Sequence, residues 1–361
     1  MIRILHLQTE LNLACGITRT VSQIIKNSAS EFEHHLIALG GDGLSRFEDF
    51  NFNPKELNLD RFSVFGTLKI YFFLLNFCKK HSIQIIHSHH RSFDTIAWLL
   101  KPFLKVKTIT SVQSKVYGKN IISYKADKLI ACSNAIKKHL MSNFNLPENR
   151  IEVIYNSVDP AELKIKTEKD QLKSEIGINL KDFVIGFVGR INYKEKGVDV
   201  LLKTFGLLSK VNLHIHLLIV GDGPDYDEAK NFYAENKLKL TIISSQENIF
   251  DYYNLMDVVV LPSRIEPFGI VVLEAGLINK PFIGSNVDGI AELIEHEKDG
   301  LLFESGNEGD LLKQIIKIID DKKFADLLSK NLYKKVLECF TVKRIIPQYE
   351  KLYRNILNDV N

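Results

Sequence analysis

Short runs of β-branched and other apolar residues alternate with longer stretches of helical period along almost the whole chain, and the rhythm runs twice. The first series reads as strand Ile2–Gln8, helix Ile17–Ala29, strand His34–Leu39, helix Leu68–Lys80 and strand Gln84–His87. Helix Asp94–Leu100, strands Val106–Ser111 and Lys128–Cys132, helix Asn134–Ser142 and strand Ile151–Tyr155 complete it. From Asp159 to Asp182 the pattern lapses into a charged segment short of large apolar residues, expected to be a linker with at most a short helix over Glu168–Glu175. The second series restarts with strand Phe183–Gly189, helix Val198–Leu208, strand His214–Val220, a helix from Asp225, and strands Leu240–Ile243 and Val258–Leu261. Helix Ile270–Ile278, strand Phe282–Gly284 and helices Ile290–His296, Gly309–Asp320, Lys323–Cys339 and Val342–Leu357 follow.

Such alternation implies parallel strands joined by right-handed crossovers. The fold class is therefore α/β, with two doubly wound Rossmann-like domains expected to face each other across a cleft. Their limits are 1–160 and 161–341, and the last helix, about 342–361, is positioned to pack back on the first.

Composition narrows the class. The 361 residues are 45% hydrophobic and 25% charged, as in ordinary globular proteins. Cys15, Cys78, Cys132 and Cys339 are scattered, which suits a reduced cytoplasmic setting better than a disulfide or structural zinc framework. Met1–Gln8 is too short and mixed for a secretory core, and the longest apolar stretch, Val64–Cys78, is interrupted by Lys69 and falls short of a membrane span. A soluble or peripheral protein is expected, without nucleic acid as a partner. Charge is uneven: Lys and Arg outnumber Asp and Glu 20 to 13 over residues 1–160, whereas 161–361 carry 27 against 31. Within the basic half, Leu99–Lys107 interleaves Lys101, Lys105 and Lys107 with apolar residues. That segment has two readings, a docking site for an anionic membrane surface or a buried helix and strand with solvated lysines.

The chemistry concentrates in Leu261–Gly276. An apolar strand stops at Pro262, a polar loop carries Glu266, and Pro267 and Gly269 bar helix until Ile270. Glu274 then falls just past the first helical turn. The N–H groups of Phe268, Gly269 and Ile270 open that helix and suit an anion or a sugar hydroxyl. Strand Phe183–Gly189 is followed by Arg190 and then Lys196-Gly197, a bidentate guanidinium and an ammonium suited to a diphosphate. Val220-Gly221-Asp222-Gly223-Pro224 is a tight strand-to-helix turn. Asp225 and Asp227 have the D-x-D spacing of metal-dependent sugar transferases, but both fall where they complement a helix dipole, so no bound metal is expected. In the first half, Gly16 opens a helix after the first strand. His87-Ser88-His89-His90 closes the third, with no carboxylate or Cys at ligand spacing to complete a metal site. Hydrogen bonding to a substrate, or packing, are the two readings of those histidines.

Taken together and in order, Phe187–Gly197, Val220–Pro224 and Leu261–Gly276 resemble glycosyltransferase family 4, retaining nucleotide-sugar-dependent enzymes of the GT-B fold. Tyr155–Asp159, Asp288–Leu293 and Asp299–Phe303 support the match, which is densest from about 150 to 305. The resemblance implies that Arg190 and Lys196 bind the donor diphosphate, that Glu274 accepts from the ribose hydroxyls, and that Glu266 with the amides of Phe268, Gly269 and Ile270 holds the sugar. It places Gly189 and Gly221 in the donor site and brings Gly16 to the diphosphate from the opposite domain. Fixed cations replace a metal in such enzymes, so no cofactor is implied. Acceptor-side candidates are His87, His89 and Gln113. Relatives often carry a histidine where this chain has Gln113, and often two glycines where it has Cys15-Gly16. The implied activity is transfer of a sugar, UDP-linked by preference, to a saccharide or lipid-linked glycan. The alternatives are an epimerase or phosphorylase of the same fold, or a non-catalytic sugar-nucleotide-binding partner protein.

Overall fold

The computed structural model describes residues 1–12, 16–47, 55–56, 64–118, 123–211, 214–236 and 238–358. The chain forms two compact units, one of residues 1–157 with 342–361 and one of residues 158–341.

Unit 1 contains β1 (Ile2–Gln8), α1 (Gly16–Asn27), β2 (Phe32–Ala38), β3 (Lys55–Glu56), α2 (Val64–Lys80), β4 (Ile85–Ser88) and α3 (Arg91–Leu100). It continues through β5 (Lys107–Val112), β6 (Lys128–Ala131), α4 (Asn134–Phe144) and β7 (Ile151–Val153). The seven strands are parallel in the order β3-β2-β1-β4-β5-β6-β7. Strand pleating sends alternate residues of β1 to opposite faces. Leu5 and Leu7 join Ile70, Leu74 and Phe93 on the α2–α3 face, while Ile4 joins Ile85, Ile109 and Ile130 on the other.

Unit 2 contains α5 (Lys169–Glu175), β8 (Phe183–Val188), α6 (Tyr193–Lys196), α7 (Val198–Leu208), β9 (Ile215–Val220), α8 (Tyr226–Asn236) and β10 (Leu240–Ile243). Then come α9 (Ile249–Leu255), β11 (Val258–Leu261), α10 (Ile270–Leu277), β12 (Phe282–Ser285), α11 (Asp288–Leu293), β13 (Leu301–Phe303), α12 (Glu308–Asp320) and α13 (Lys322–Cys339). Its six parallel strands run β10-β9-β8-β11-β12-β13, with β9 and β11 buried throughout as a sheet covered on both faces requires. The chain then returns to unit 1 as α14 (Val342–Asn358), whose Ile345, Tyr349, Leu352, Tyr353 and Ile356 close the Ile4–Ile85 core. Entry to and exit from unit 2 are paired, Val158 N donating to Phe340 O at 2.9 Å.

The segment expected to be a linker is folded onto unit 2. Asp251 of α9 accepts from the N–H groups of Lys166 and Thr167 at 2.6 and 3.3 Å, and Leu172 and Ile178 are buried. The Lys173 ammonium lies on the carbonyls of Leu180 and Asp182, so a residue that reads as polar in sequence is one of the segment's anchors.

Candidate active site

In a doubly wound sheet the strand order reverses once, and the crevice beyond the carboxyl ends of the two strands at that point is where ligands bind. In unit 2 those strands are β8 and β11. Arg190 and Lys196 follow the first, and Glu266 follows the second.

Short-range geometry closes the gap between these loops. Asn192 caps α6 by accepting from Glu195 N at 2.8 Å, and Gly197 ends it at φ +64°. A Cβ on Gly197 would lie 2.1 Å from Pro262 O, so only glycine lets α6 approach the end of β11 this closely. The Glu195 carbonyl accepts from the N–H groups of Arg264 and Ile265 at 2.7 and 3.1 Å. Arg264 in turn grips Asp199 with two bonds of 2.7 and 2.8 Å and also donates to Tyr193 O.

The result is that Lys196 Nζ stands 2.6 Å from Glu266 Oε2. Ser263 Oγ donates to the same carboxylate oxygen at 3.0 Å, and Glu266 is only 6% exposed. The Glu266 carbonyl accepts from Gly289 N at 3.0 Å, tying the loop to α11. Glu274, buried in α10, accepts from the Tyr253 hydroxyl of α9 at 2.7 Å. Arg190 is exposed and has no side-chain partner among the described residues. The site thus holds one paired cation, one free cation and two buried carboxylates, with the first turn of α10 between the carboxylates. Gly269 caps that helix at φ +99°.

Gly221 has φ +150°, and a Cβ there would lie 2.0 Å from Gly189 O. The turn is interlaced with the Gly189–Ile191 loop, since Ile191 N donates to Asp222 O at 2.9 Å. The room at Gly221 is thus filled by Gly189. Asp225 precedes α8 instead of lying in its first turn, and its carboxylate accepts from Tyr193 N at 2.6 Å. It is a strut for α6, whereas Asp227 does lie in the first turn.

In unit 1, Gly16 begins α1, and Cys15 lies outside the described residues. Gln113 follows β5 and accepts from Asn156 Nδ2 at 3.0 Å. Thr20 Oγ1 is 3.3 Å from Asn156 Oδ1 and 2.9 Å from Gly16 O, so Gly16 and Gln113 share one edge through two residues not singled out by sequence. Asn156 belongs to the Tyr155–Asp159 match, which is the signal that marks it.

The histidines behave differently. His87 is fully buried, with Nδ1 2.8 Å from Tyr353 Oη and Nε2 2.8 Å from Ser111 Oγ, so it has no atom to offer an acceptor and belongs to the core. His89 Nε2 meets His6 Nδ1 at 3.0 Å, and His6 Nε2 meets His34 Nδ1 at 2.9 Å. Buried His89 Nδ1 has no partner among the described residues. His6, His87 and His89 are the described side chains close enough together to suggest a metal. The His6–His89 centroid separation of 5.3 Å, with planes 18° apart, is what a 3.0 Å contact gives when both nitrogens lie on the line between the rings. Their lone-pair directions point at each other, so the pair is a linear hydrogen bond with no room for an ion between. Burial, reinforced by the neighbouring imidazoles, holds His6 and His87 well below the usual histidine range and lowers His34 to about 4. Burial alone lowers His89 to about 3.

Two family models match the chain in succession, one described as Glycosyltransferase Family 4 over residues 14–162 and one as Glycosyl transferases group 1 over residues 168–335. The chain is 26% identical to N-acetyl-α-D-glucosaminyl L-malate synthase of Bacillus anthracis, over 84% of each protein. It is 27% identical, over 75% of each, to an uncharacterized glycosyltransferase of Methanocaldococcus jannaschii. Its fold is similar to that of Anabaena HepE, solved in complex with UDP and glucose, with a TM-score of 0.87 at 18% identity and full coverage of both chains.

Proposed function

The chain belongs to the glycosyltransferase family whose two halves those models describe, with the GT-B fold, and on that premise we propose a retaining transferase that moves a hexose from a nucleoside-diphosphate sugar, UDP-linked by preference, to an acceptor hydroxyl. The observation that carries the reading is the Lys196–Glu266 pair at the β8–β11 switch point, with Arg190, unpaired among the described residues, on the same edge and Glu274 just past the first turn of α10. Arg190 and Lys196 meet the diphosphate, Glu274 the ribose hydroxyls, and Glu266 with the amides of Phe268, Gly269 and Ile270 the sugar. Lys196 and Glu266 stand within one hydrogen bond of each other, so the groups read for the leaving diphosphate and for the sugar lie side by side. The contact of the ammonium strengthens as charge develops on the departing diphosphate.

The bond from the anomeric carbon to the diphosphate oxygen breaks while the acceptor oxygen bonds the same face. The acceptor proton passes to the leaving diphosphate, so no protein base is required. Gln113 is the acceptor-side candidate in unit 1, held by Asn156, with Gly16 on the same edge. UDP is favoured by HepE, and the acceptor is read as a saccharide or lipid-linked glycan. Because the Bacillus relative is named for an L-malate acceptor, an acceptor panel should include hydroxy acids.

The test is a thermal-shift panel of UDP-, GDP- and ADP-sugars. Ligand at about 100 times its Kd adds about 2.7 kcal/mol to apparent stability. A rise in melting temperature with UDP-sugars above the others is expected. No rise with any of them overturns the reading, and binding without turnover on any acceptor leaves the non-catalytic alternative.

A further inference from the structure

The α2–α3 layer of unit 1 has an outer face that nothing in the donor chemistry explains. Its inner side is filled: Ile70, Leu74 and Cys78 of α2 and Phe93, Ile96 and Leu100 of α3 pack on the sheet. The outer side is apolar as well. Phe65, Leu68 and Phe72 follow the i, i+3, i+7 spacing of one helical stripe and are 80%, 47% and 57% exposed. Trp98, Leu99 and, just beyond α3, Phe103 are exposed too. The Tyr71 hydroxyl reaches the Leu99 carbonyl at 3.5 Å, so the stripe on α2 runs up against the end of α3. Large aromatic residues grouped on one surface mark an interaction site, unlike single exposed apolar residues.

Charge identifies the partner. Residues 64–107 contain seven Lys and Arg but one carboxylate, Asp94. That carboxylate is buried and engaged by Thr110 Oγ1 at 2.8 Å and by the N–H groups of Lys125 and Ala126. It therefore adds nothing to the outer face, whereas Lys69, Lys79, Lys80 and Lys105 are exposed around it. Aromatic side chains beside ammonium groups that have no carboxylate partner among the described residues match the acyl–headgroup boundary of an anionic bilayer, where rings bury and lysines stay at the phosphates. A second copy of the chain fits poorly, because an isologous contact through this face would set like charges against each other.

We propose that the outer face of α2–α3 docks unit 1 on an anionic lipid surface, deepening the lipid-linked half of the acceptor reading. Trp98 is the only tryptophan in the chain, so its emission reports on this face alone. The full chain is mixed with phosphatidylcholine vesicles, with and without phosphatidylglycerol, at low and high salt, and donor thermal shifts are read on the same samples. Co-sedimentation with the anionic vesicles at low salt, weakened by salt, and a blue shift of Trp98 emission are expected. Phe65→Ser with Phe72→Ser should lower vesicle affinity about tenfold or more, and Lys69→Glu with Lys105→Glu should remove the preference for anionic lipid. Both variants should keep the donor shift, which separates failure of docking from failure of the donor site. No binding to anionic vesicles at low salt overturns the proposal. So does binding with Trp98 emission unchanged, or a blue shift that grows with protein concentration in the absence of vesicles.

Discussion

At the scale of single residues, Glu274 and Lys196 separate binding from chemistry. A ribose contact is made equally before and during transfer, so Glu274→Ala should raise the donor KM and leave kcat nearly unchanged. A leaving-group contact strengthens in the transition state, so Lys196→Ala should lower kcat by about 100-fold. That variant also leaves the buried Glu266 carboxylate with Ser263 as its remaining side-chain partner among the described residues, a loss of about 3 kcal/mol, the low end for a buried pair because Lys196 is partly exposed. Steady-state kinetics well below the lowered melting temperature decide the point, and equal effects on both parameters in both variants refute the division. The histidines give a pH prediction. In the unfolded chain they titrate near 6.5, whereas folded His34 and His89 lie at about 4 and about 3, so below 6.5 the unfolded state binds more protons. Stability is therefore fully present above that value and falls as pH drops toward the folded values, each such group approaching about 1.4 kcal/mol per pH unit. Melting temperature measured from about pH 7 to about pH 5 should fall, and His34→Gln should flatten the slope. A flat wild-type profile contradicts this account.

At the scale of elements, α6 is the part that sequence periodicity could not show. Four residues give no amphipathic signal, and the helix exists because Asn192 caps it, Gly197 stops it and Arg264 clasps it. By contrast β11 and α10 were legible, since Pro262 closes an apolar run and Pro267 with Gly269 delays the next helix. The pairing of Lys196 with Glu266, 70 residues apart, is visible only once the strand order sets β8 beside β11. His87 was ambiguous for the same reason, its partner Tyr353 lying 266 residues away. The Arg264–Asp199 clasp also implies a test. Because it positions the loop that bears Lys196, Arg264→Ala should cost about tenfold to 100-fold in kcat. Its side chain is about one-third exposed, so the stability cost should stay near 1 kcal/mol. Arg264→Lys, which keeps the charge but not the fork, should recover stability more than kcat. A variant that loses stability and kcat in proportion would make the clasp merely structural.

At the scale of the molecule, unit 1 is incomplete until the last residues of the chain arrive. The pattern Ile345, Tyr349, Leu352, Tyr353 and Ile356 reads as helical straight through Pro347, and α14 lays that stripe over Ile4, Ile85, Ile109 and Ile130. Polar contacts fix its register: Glu350 accepts from Ala29 N at 2.7 Å, and Tyr353 meets His87 in the buried seam. At about 1.5–3 kcal/mol for each buried large side chain, these five contribute on the order of 10 kcal/mol, comparable to the whole stability of a typical domain. The core that α14 joins is that of unit 1, whereas unit 2 is residues 158–341. Residues 1–341 should therefore show unit 1 unfolded while unit 2 still melts cooperatively, and 158–341 alone should keep that transition. The milder Tyr353→Phe removes one hydrogen bond and should cost about 1 kcal/mol without splitting the melt. Scanning calorimetry of the four proteins decides it. A truncated chain that melts like the full one would mean that the first sheet holds its core closed without the helix.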